Sequence, residues 1–289
     1  MASPPIVEEI PFRSNNAHLC VILNRRTKLI RVIDFRLGAL PAKRLFIHGV
    51  SQKEGVEKAI ILLERDEVPA WSRIGFVKEG VIPLFYKHSD GYLLGCLIGP
   101  NRGGSGITED GERLAEKTIQ AAKRQCKEIP DPLPRFHFRE EDPAKATEER
   151  DRQWQNPDAL ISGFDRFSRY GERAYYVVRR GRRSQWFSTE TQDCVGHSLI
   201  EILRGTKNTL DVFGIVFGLR RLCEKLQKQG IVSAFAFTPS DDVGLATAFT
   251  ASGFRKTGLL ALGVHVGGVG RKDAILWSRK LAHAGEGEE

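Results

Sequence analysis

The chain has 289 residues, a formal net charge of +8 and a hydrophobic content of 41%. That is enough for one large or two small domains with a real core. No apolar run reaches the ~18 residues of a membrane span, and Met-Ala-Ser-Pro-Pro at the start has no secretion pattern, so a cytoplasmic protein is expected.

The cationic balance suits an anionic ligand such as a nucleotide cofactor, or nucleic acid, and does not choose between them. Five cysteines (Cys20, Cys96, Cys126, Cys194, Cys223) are odd in number and widely spaced. No CxxC pair occurs among them, so reduced thiols and no metal are expected.

The first hundred residues read as one mixed unit. His18 to Leu23 and Leu29 to Phe35 are apolar strands joined by the polar turn Asn24-Arg-Arg-Thr-Lys. Arg44 to Val50 and Ala59 to Leu63 read as further strands. Arg65 to Ile74 reads as a short helix, with Pro69 in its first turn and Gly75 beyond its end. Phe76 to Pro83 and Tyr92 to Ile98 close the unit as strands. Gly99-Pro-Asn-Arg-Gly-Gly-Ser-Gly lacks the Gly-Lys-Ser/Thr ending of a phosphate loop and reads as a connector. A helix over Glu109 to Lys127 follows, stopped by Pro130-Asp-Pro-Leu-Pro at a domain boundary.

The second unit starts at Arg135. Phe136 to Arg139 is a short strand, Asp142 to Asp165 is helical in places, and Ala174 to Val178 and Gln185 to Ser188 are strands around Arg179-Arg-Gly-Arg-Arg. Those arginines could grip phosphates; a solvated hairpin tip is the commoner use of such a cluster. Ser198 to Leu203, apolar on both faces apart from Glu201, reads as a buried central strand. Next is the best amphipathic helix of the chain. Val212, Ile215, Val216, Leu219, Leu222, Cys223 and Leu226 form its apolar face, and Gly214 stands near its start. A strand over Ile231 to Phe237, a helix over Asp242 to Ser252 and strands over Phe254 to Val266 and Asp273 to Arg279 complete the chain. No internal repeat is evident. The division expected is an N-terminal α/β domain over 1–98, a linker and helix over 99–134, a second domain over 135–282 and a tail over 283–289.

In this order of elements the second unit resembles the GNAT acyltransferase superfamily. Four stretches resemble its beta-lysine N-acetyltransferase family, in matching order: Phe76-Val-Lys-Glu-Gly-Val-Ile-Pro-Leu-Phe-Tyr with Asp90-Gly-Tyr; Leu133-Pro-Arg-Phe-His-Phe-Arg-Glu-Glu-Asp; Gly253-Phe-Arg-Lys-Thr-Gly-Leu-Leu; and Val266-Gly-Gly with Trp277. The resemblance implies a mixed α/β fold, an acyltransferase domain preceded by a smaller domain like half of one. It also implies acetyl-CoA as co-substrate and a primary amine of a small molecule or amino acid as acceptor. The amides of Val212, Phe213, Gly214, Ile215, Val216 and Phe217 would then hold the pyrophosphate at the positive end of the helix. Glu201 would be the base, with His197 and Asp193 as alternatives, while His265 reads as structural.

The sequence departs from the superfamily pattern at several points. Asp211 and Val216 occupy the ends of the cofactor loop, where Arg/Gln and Gly/Ala are the pattern. Phe249 stands where many relatives carry a tyrosine that protonates the thiolate. Near the end the family's Asn-Asn and Glu-Asp pairs are replaced by Leu262-Gly263 and Lys272-Asp273. Two classes therefore stay open: a working N-acyltransferase, placed slightly ahead, and a catalytically inactive binding or scaffold protein on the same fold. RNA binding through the arginine turn ranks below both, since no aromatic stacking platform accompanies it. A homodimer is compatible with the sequence; a membrane partner is not expected.

Overall fold

A computed structural model of the chain describes residues 4–35, 38–86, 88–99, 106–155, 165–192 and 196–281. The fold is mixed α/β. Among the described residues, thirteen strands form one sheet in the order β1-β2-β3-β4-β6-β5-β12-β13-β11-β10-β9-β8-β7, with six α-helices.

The first half contains β1 (Val7–Arg13), β2 (His18–Asn24), β3 (Leu29–Asp34), α1 (Leu40–Glu54), β4 (Lys58–Leu63), α2 (Val68–Ser72), β5 (Val77–Ile82) and β6 (Gly91–Leu97). Helix α3 (Glu109–Gln125) leads to the second half. That half contains β7 (His137–Glu141), α4 (Pro143–Gln155), β8 (Glu172–Arg180), β9 (Arg183–Gln192), β10 (His197–Ile202), α5 (Thr209–Lys228), β11 (Ser233–Pro239), α6 (Val243–Ala251), β12 (Arg255–Val266) and β13 (Gly270–Lys280).

The two halves repeat one topology. The series β1-β2-β3-α1-β4-α2-β5-β6 maps onto β8-β9-β10-α5-β11-α6-β12-β13. In each, the third and fourth strands pair in parallel and the last strand slots antiparallel between its two neighbours. The sequence keeps a trace of this: Gly75-Phe-Val-Lys-Glu-Gly-Val-Ile aligns with Gly253-Phe-Arg-Lys-Thr-Gly-Leu-Leu without a gap, identical at both glycines, the phenylalanine and the lysine. The expectation of no internal repeat is thereby corrected. This stretch kept its residues because the fold demands them there.

The demand is steric. The half-sheets join where β5 meets β12 antiparallel, with Gly80 opposite Gly258. A Cβ on Gly258 would sit 2.5 Å from the Glu79 carbonyl oxygen and 2.6 Å from Gly80 Cα, and one on Gly80 would sit 2.7 Å from Leu276. Beside this seam a buried ion pair within the first half reaches across to the second through Ala261. Lys58 Nζ donates to both oxygens of Glu79 at 2.7 Å and also to the carbonyl of Ala261 in β12. Glu79 accepts from the Ala261 amide at 3.1 Å. Burial draws the Lys58 ammonium down and the Glu79 carboxyl up from their ordinary values. Gly95 leaves the space that the Glu79 carboxylate fills.

Several boundaries differ from the sequence expectation. Arg44 to Val50, read as a strand, lies in α1. The buried positions of that helix are Lys43, Ile47 and Ser51, two of them polar, so its helical period is masked. Lys43 is buried against Asp34 at 2.6 Å. Strand β1 is an additional edge strand in which Pro11 stands, a place where a missing amide is tolerated. No helix among the described residues is long and apolar enough to cross a membrane.

Replacing Gly258 with Ala should destabilise the chain by about 3 kcal/mol, because backbone rather than side-chain atoms must move. Gly49→Ala, in α1 with open space around it, should instead stabilise it by about 0.5–1 kcal/mol. Urea unfolding of both variants checks the contrast.

Candidate functional site

Strands β10 and β11 pair in parallel only from His197 to Leu199 against Ser233 to Phe235. Beyond that point β10 keeps only β9, and β11 keeps only β13. The two strands therefore part in the middle of the sheet, at the carboxyl ends of parallel strands, where α/β sheets commonly bind ligands. Helix α5 begins at one side of this opening and α6 at the other.

At the outer end a groove of about 300 Å³ lies between these helix N-termini, with Thr206, Lys207, Asn208, Thr209, Val212 and Gly244 among its lining residues. The first amides of each helix have no intrahelical acceptor and favour an anion. Two features restrict the groove. Asn208 is the N-cap of α5: its side chain accepts from the Asp211 amide at 3.1 Å. The Asp211 carboxylate in turn accepts from the Lys207 amide and the Asn208 side chain, both at 3.0 Å. At α6, Asp242 caps the Leu245 amide at 2.8 Å and accepts from Thr206 Oγ1 at 3.0 Å. Thr206 fills the space over Gly244.

The amides expected to hold a pyrophosphate, those of Val212 to Phe217, lie inside α5, which starts at Thr209. Val212 N already bonds to the Asn208 carbonyl, and the later amides are helix donors in the ordinary i to i−4 pattern. The amides without such a bond are those of Thr209 and Leu210. Gly214 has a packing role: a Cβ there would meet Phe136 at 3.4 Å and Gln185 at 3.6 Å. Gly218 is tighter still, facing Phe187 at 2.5 Å. The N-cap was missed in the sequence, although Asn208 followed three residues on by an acid is a capping signal.

The arginine turn leans on this helix start. Arg183 Nη1 donates to Asn208 Oδ1 at 2.6 Å and lies 3.9 Å from Asp211. Arg180 stacks over Phe136.

At the inner end, between the half-sheets, is a cavity of about 110 Å³. Ile22, Asn24 and Arg31 reach it from β2 and β3, Leu199 and Glu201 from β10, Phe237 from β11, and His265 and Arg271 from β12 and β13; Asp165 and Phe167 cover it. Strand alternation explains the set. Leu23, Ile30, Val32 and Ile61, the neighbours of these residues in sequence, face α1 and α2 in the other core.

Glu201 thus points into a cavity at the parting of β10 and β11. Its Oε2 accepts from Ser188 at 2.8 Å and lies 3.7 Å from Arg173. Arg173 also grips Glu190, which accepts from the Phe167 amide at 2.9 Å. Asp165 accepts from Asn24 at 3.0 Å and lies 3.5 Å from Arg150. Both carboxylates are held by partners that fix their direction.

The other sequence candidates fall elsewhere. His197 is buried, stacked on Phe85 at 3.8 Å, and its Nδ1 donates to the Phe85 carbonyl at 3.1 Å. Burial pulls its pKa down to about 3, so it stands neutral as a core residue. Asp193 lies outside the described residues, as do 100–105 of the connector. Phe249 is fully buried, stacked on Trp277 at 5.6 Å. Asp273 accepts from the Leu262 amide at 2.8 Å and pins the bulge of β12. His265, expected to be structural, stacks on Trp154 and also lines the cavity. Among the described residues no group of three or more His, Cys, Asp or Glu is placed to hold a metal.

No family model matches the chain, and no curated protein matches it. Solved structures similar to it include the ribosomal-protein-S18-alanine N-acetyltransferase from Escherichia coli, at 12% identity, covering 54% of this chain and 99% of that one, with a TM-score of 0.39. A mutant of the spermidine N-acetyltransferase SpeG from Vibrio cholerae has 10% identity, 52% and 96% coverage, and a TM-score of 0.40. A GCN5-related N-acetyltransferase from Kribbella flavida has 9% identity, 50% and 97% coverage, and a TM-score of 0.39.

The buried neutral His197 gives a pH dependence. Its folded value, about 3, lies below the ordinary 6.5, so the unfolded chain takes up the proton first. The stability it supports is complete above pH 6.5 and is lost as pH falls towards 3. At pH 4.5 the loss should be about 2.5 kcal/mol from this residue alone. Urea midpoints between pH 7 and 4.5 should fall more steeply for the native chain than for His197→Gln.

Proposed function

We propose that the chain is an N-acyltransferase that uses acetyl-CoA and a small primary amine, with the opening between β10 and β11 as its reaction channel. The observation that carries this reading is the opening itself. It has two helix N-termini at its outer end and a directed carboxylate, Glu201, at its inner end. The element order of β7 to β13, with α4, α5 and α6, is also the one the sequence resemblance implies.

The residues fit acetyl-CoA in part. Thr209, whose amide has no intrahelical acceptor, and Lys207 line the outer groove and suit a phosphate. Asp211 opposes it, and Arg183 at 3.9 Å offsets part of that charge. Bound there, the co-substrate would supply the acyl group and a thiol leaving group. Glu201 would take the proton from the attacking amine, with Ser188 and Arg173 holding the carboxylate in position. Asp165, covering the same cavity, adds a second negative group for an ammonium to approach. Phe249 has no proton to give, so the departing thiolate would leave unprotonated or take a proton from water.

A second reading, a binding or scaffold protein without catalysis, is favoured by the self-capped start of α5, where Asn208 and Asp211 already satisfy each other. Calorimetric titration with acetyl-CoA and thiol release with a panel of amines separate the two. Binding with release supports the enzyme; neither, at any pH from 6 to 9, supports the scaffold.

Two variants sharpen the test. Asp211→Asn keeps a capping acceptor and removes the charge, worth about 1 kcal/mol at this partly exposed site. Acetyl-CoA should therefore bind about fivefold more tightly. Glu201→Gln should slow thiol release by about 100-fold while leaving acetyl-CoA affinity unchanged. An unchanged rate would remove Glu201 from the mechanism.

A further inference from the structure

The arginine turn between β8 and β9 takes no part in the proposed chemistry, apart from Arg183. Arg179, Arg180, Arg182 and Arg183 are all exposed at its tip. Two have an acid within reach: Arg179 lies 3.9 Å from Glu141, and Arg183 lies 3.9 Å from Asp211. Arg180 and Arg182 have none among the described residues. In the sequence no stacking platform accompanies these arginines, and the fold supplies one. Phe136, just before β7, lies under Arg180 at 5.7 Å, and its ring meets Phe217 of α5 at 5.5 Å. Further along α5, Arg221 lies 5.7 Å over the Phe217 ring and pairs with Glu224 at 3.1 Å. The row runs cation, ring, ring, cation, and both rings are half-buried.

A cleft opens beside this row, under the turn. Its volume is about 10 Å³, room for one water-sized group, and Phe136, Arg180, Arg183 and Gln185 are among its lining residues. Gln185 is 9% exposed, and its Oε1 is buried with no partner among the described residues. Buried acceptors are nearly always satisfied, so the cleft lacks a donor. The whole set suits a ligand that carries negative charge, flat rings and an N–H or O–H group on one chain. Phosphates accept from guanidinium groups, bases stack on phenyl rings and guanidinium planes, and the edges of base or sugar donate. An acidic peptide supplies the charge but leaves the ring faces without a stacking partner.

We propose that the face formed by the β8–β9 turn, Phe136 and the adjoining side of α5 binds a single-stranded nucleic acid. Phosphates would lie on Arg179, Arg180 and Arg182, with a base against Phe136 and the Arg180 plane. A duplex does not serve, because its bases are stacked on one another and cannot reach the ring. The face adjoins the outer groove, since Arg183 donates to Asn208, which lines that groove. Its own cleft lies on the other side of the start of α5, toward β7 and β8. The inference goes beyond the acyltransfer reading and does not depend on it.

The full chain is titrated into a fluorescent RNA of about 12 nucleotides and into the matching single-stranded DNA, with anisotropy read between about 50 and about 300 mM salt. At least one strand should bind with a Kd of about 10 μM or tighter at the lowest salt, and the tighter of the two identifies the partner as RNA or DNA. With three phosphates neutralised, log affinity should fall against log salt with a slope of about −2. Arg180→Gln with Arg182→Gln, both in an exposed turn, should weaken binding about tenfold and bring the slope to about −0.7. Phe136→Leu should weaken binding about tenfold and leave the slope unchanged, because a stack is not ionic. The arginine variant keeps the question answerable if Phe136→Leu does not fold. No binding of either strand, or an affinity and slope unchanged by the arginine variant, would overturn the proposal. So would a duplex or a polyglutamate of equal charge that binds as tightly, the latter pointing to an acidic protein partner. Loss of the strand in saturating acetyl-CoA would assign the face to the co-substrate and overturn it too. Strand binding by a chain that binds no acetyl-CoA would leave this proposal standing and count against the acyltransfer reading.

Discussion

The contact on which the rest of the molecule depends is the approach of two glycines, Gly80 and Gly258, at the centre of the sheet. Two half-sheets of the same topology meet there, and their backbones come closer than any side chain allows. Strand propensity, pleat and hydrophobic pattern do not bear on the choice of residue at these positions; excluded volume does. Once the glycines meet, Lys58, Glu79 and Ala261 can close a hydrogen-bonded ring from one half to the other. Such a buried pair adds little net stability against an apolar replacement. Its effect is on register at the seam, because a shift of β12 by one residue would take the Ala261 amide and carbonyl away from the pair.

Register at the seam decides what faces the interior elsewhere. From β5 and β12 outwards, α1 and α2 cover one face of the first half and α5 and α6 one face of the second; the opposite faces carry the cavity residues, and α4 packs there against β8 and β9. The inner cavity lies between those two surfaces, with Arg31 from one half and Glu201 from the other. Neither half could form it alone. The repeat has diverged at the positions that line it: Arg31 in β3 corresponds by strand register to Leu199 in β10, and Glu201 to Ile33. Equivalent strands now bring opposite charges to one space.

Much of this was legible in the sequence. The apolar stripe of α5 and the strands around it follow from period alone, and Glu201 stood out as the single charge in an apolar strand. The start of α5 did not, because Gly214 drew the helix start forward while Asn208 and Asp211 carried the true capping signal. Helix α1 was hidden because Lys43 and Ser51 hold buried positions that a hydrophobic pattern leaves blank. Arg31 was hidden for a related reason. In Leu29-Ile-Arg-Val-Ile-Asp it reads as an outward-facing residue, and its burial depends on Phe167, far away in the chain. The repeat was hidden because few identical residues survive in it and most of it survives only in topology.

The outer groove shows how the two ends of the channel differ. At α5 the chain supplies its own anion: Asp211 interacts with the positive end of the helix and with amides that a phosphate would otherwise meet. This stabilises the helix start without a ligand, and it makes a phosphate compete with a carboxylate held by Lys207 and Asn208. At the inner cavity the reverse holds. Arg31 is a cation for which the described residues supply no contacting carboxylate, and the molecule is left less stable than a fully satisfied core would make it. An internally satisfied site binds its ligand weakly and folds well without it. An unsatisfied one gains more from its ligand than the contacts alone would give, because binding also removes a cost already present in the folded chain. Of these two sites, the stronger recognition is therefore to be sought in the cavity between the halves.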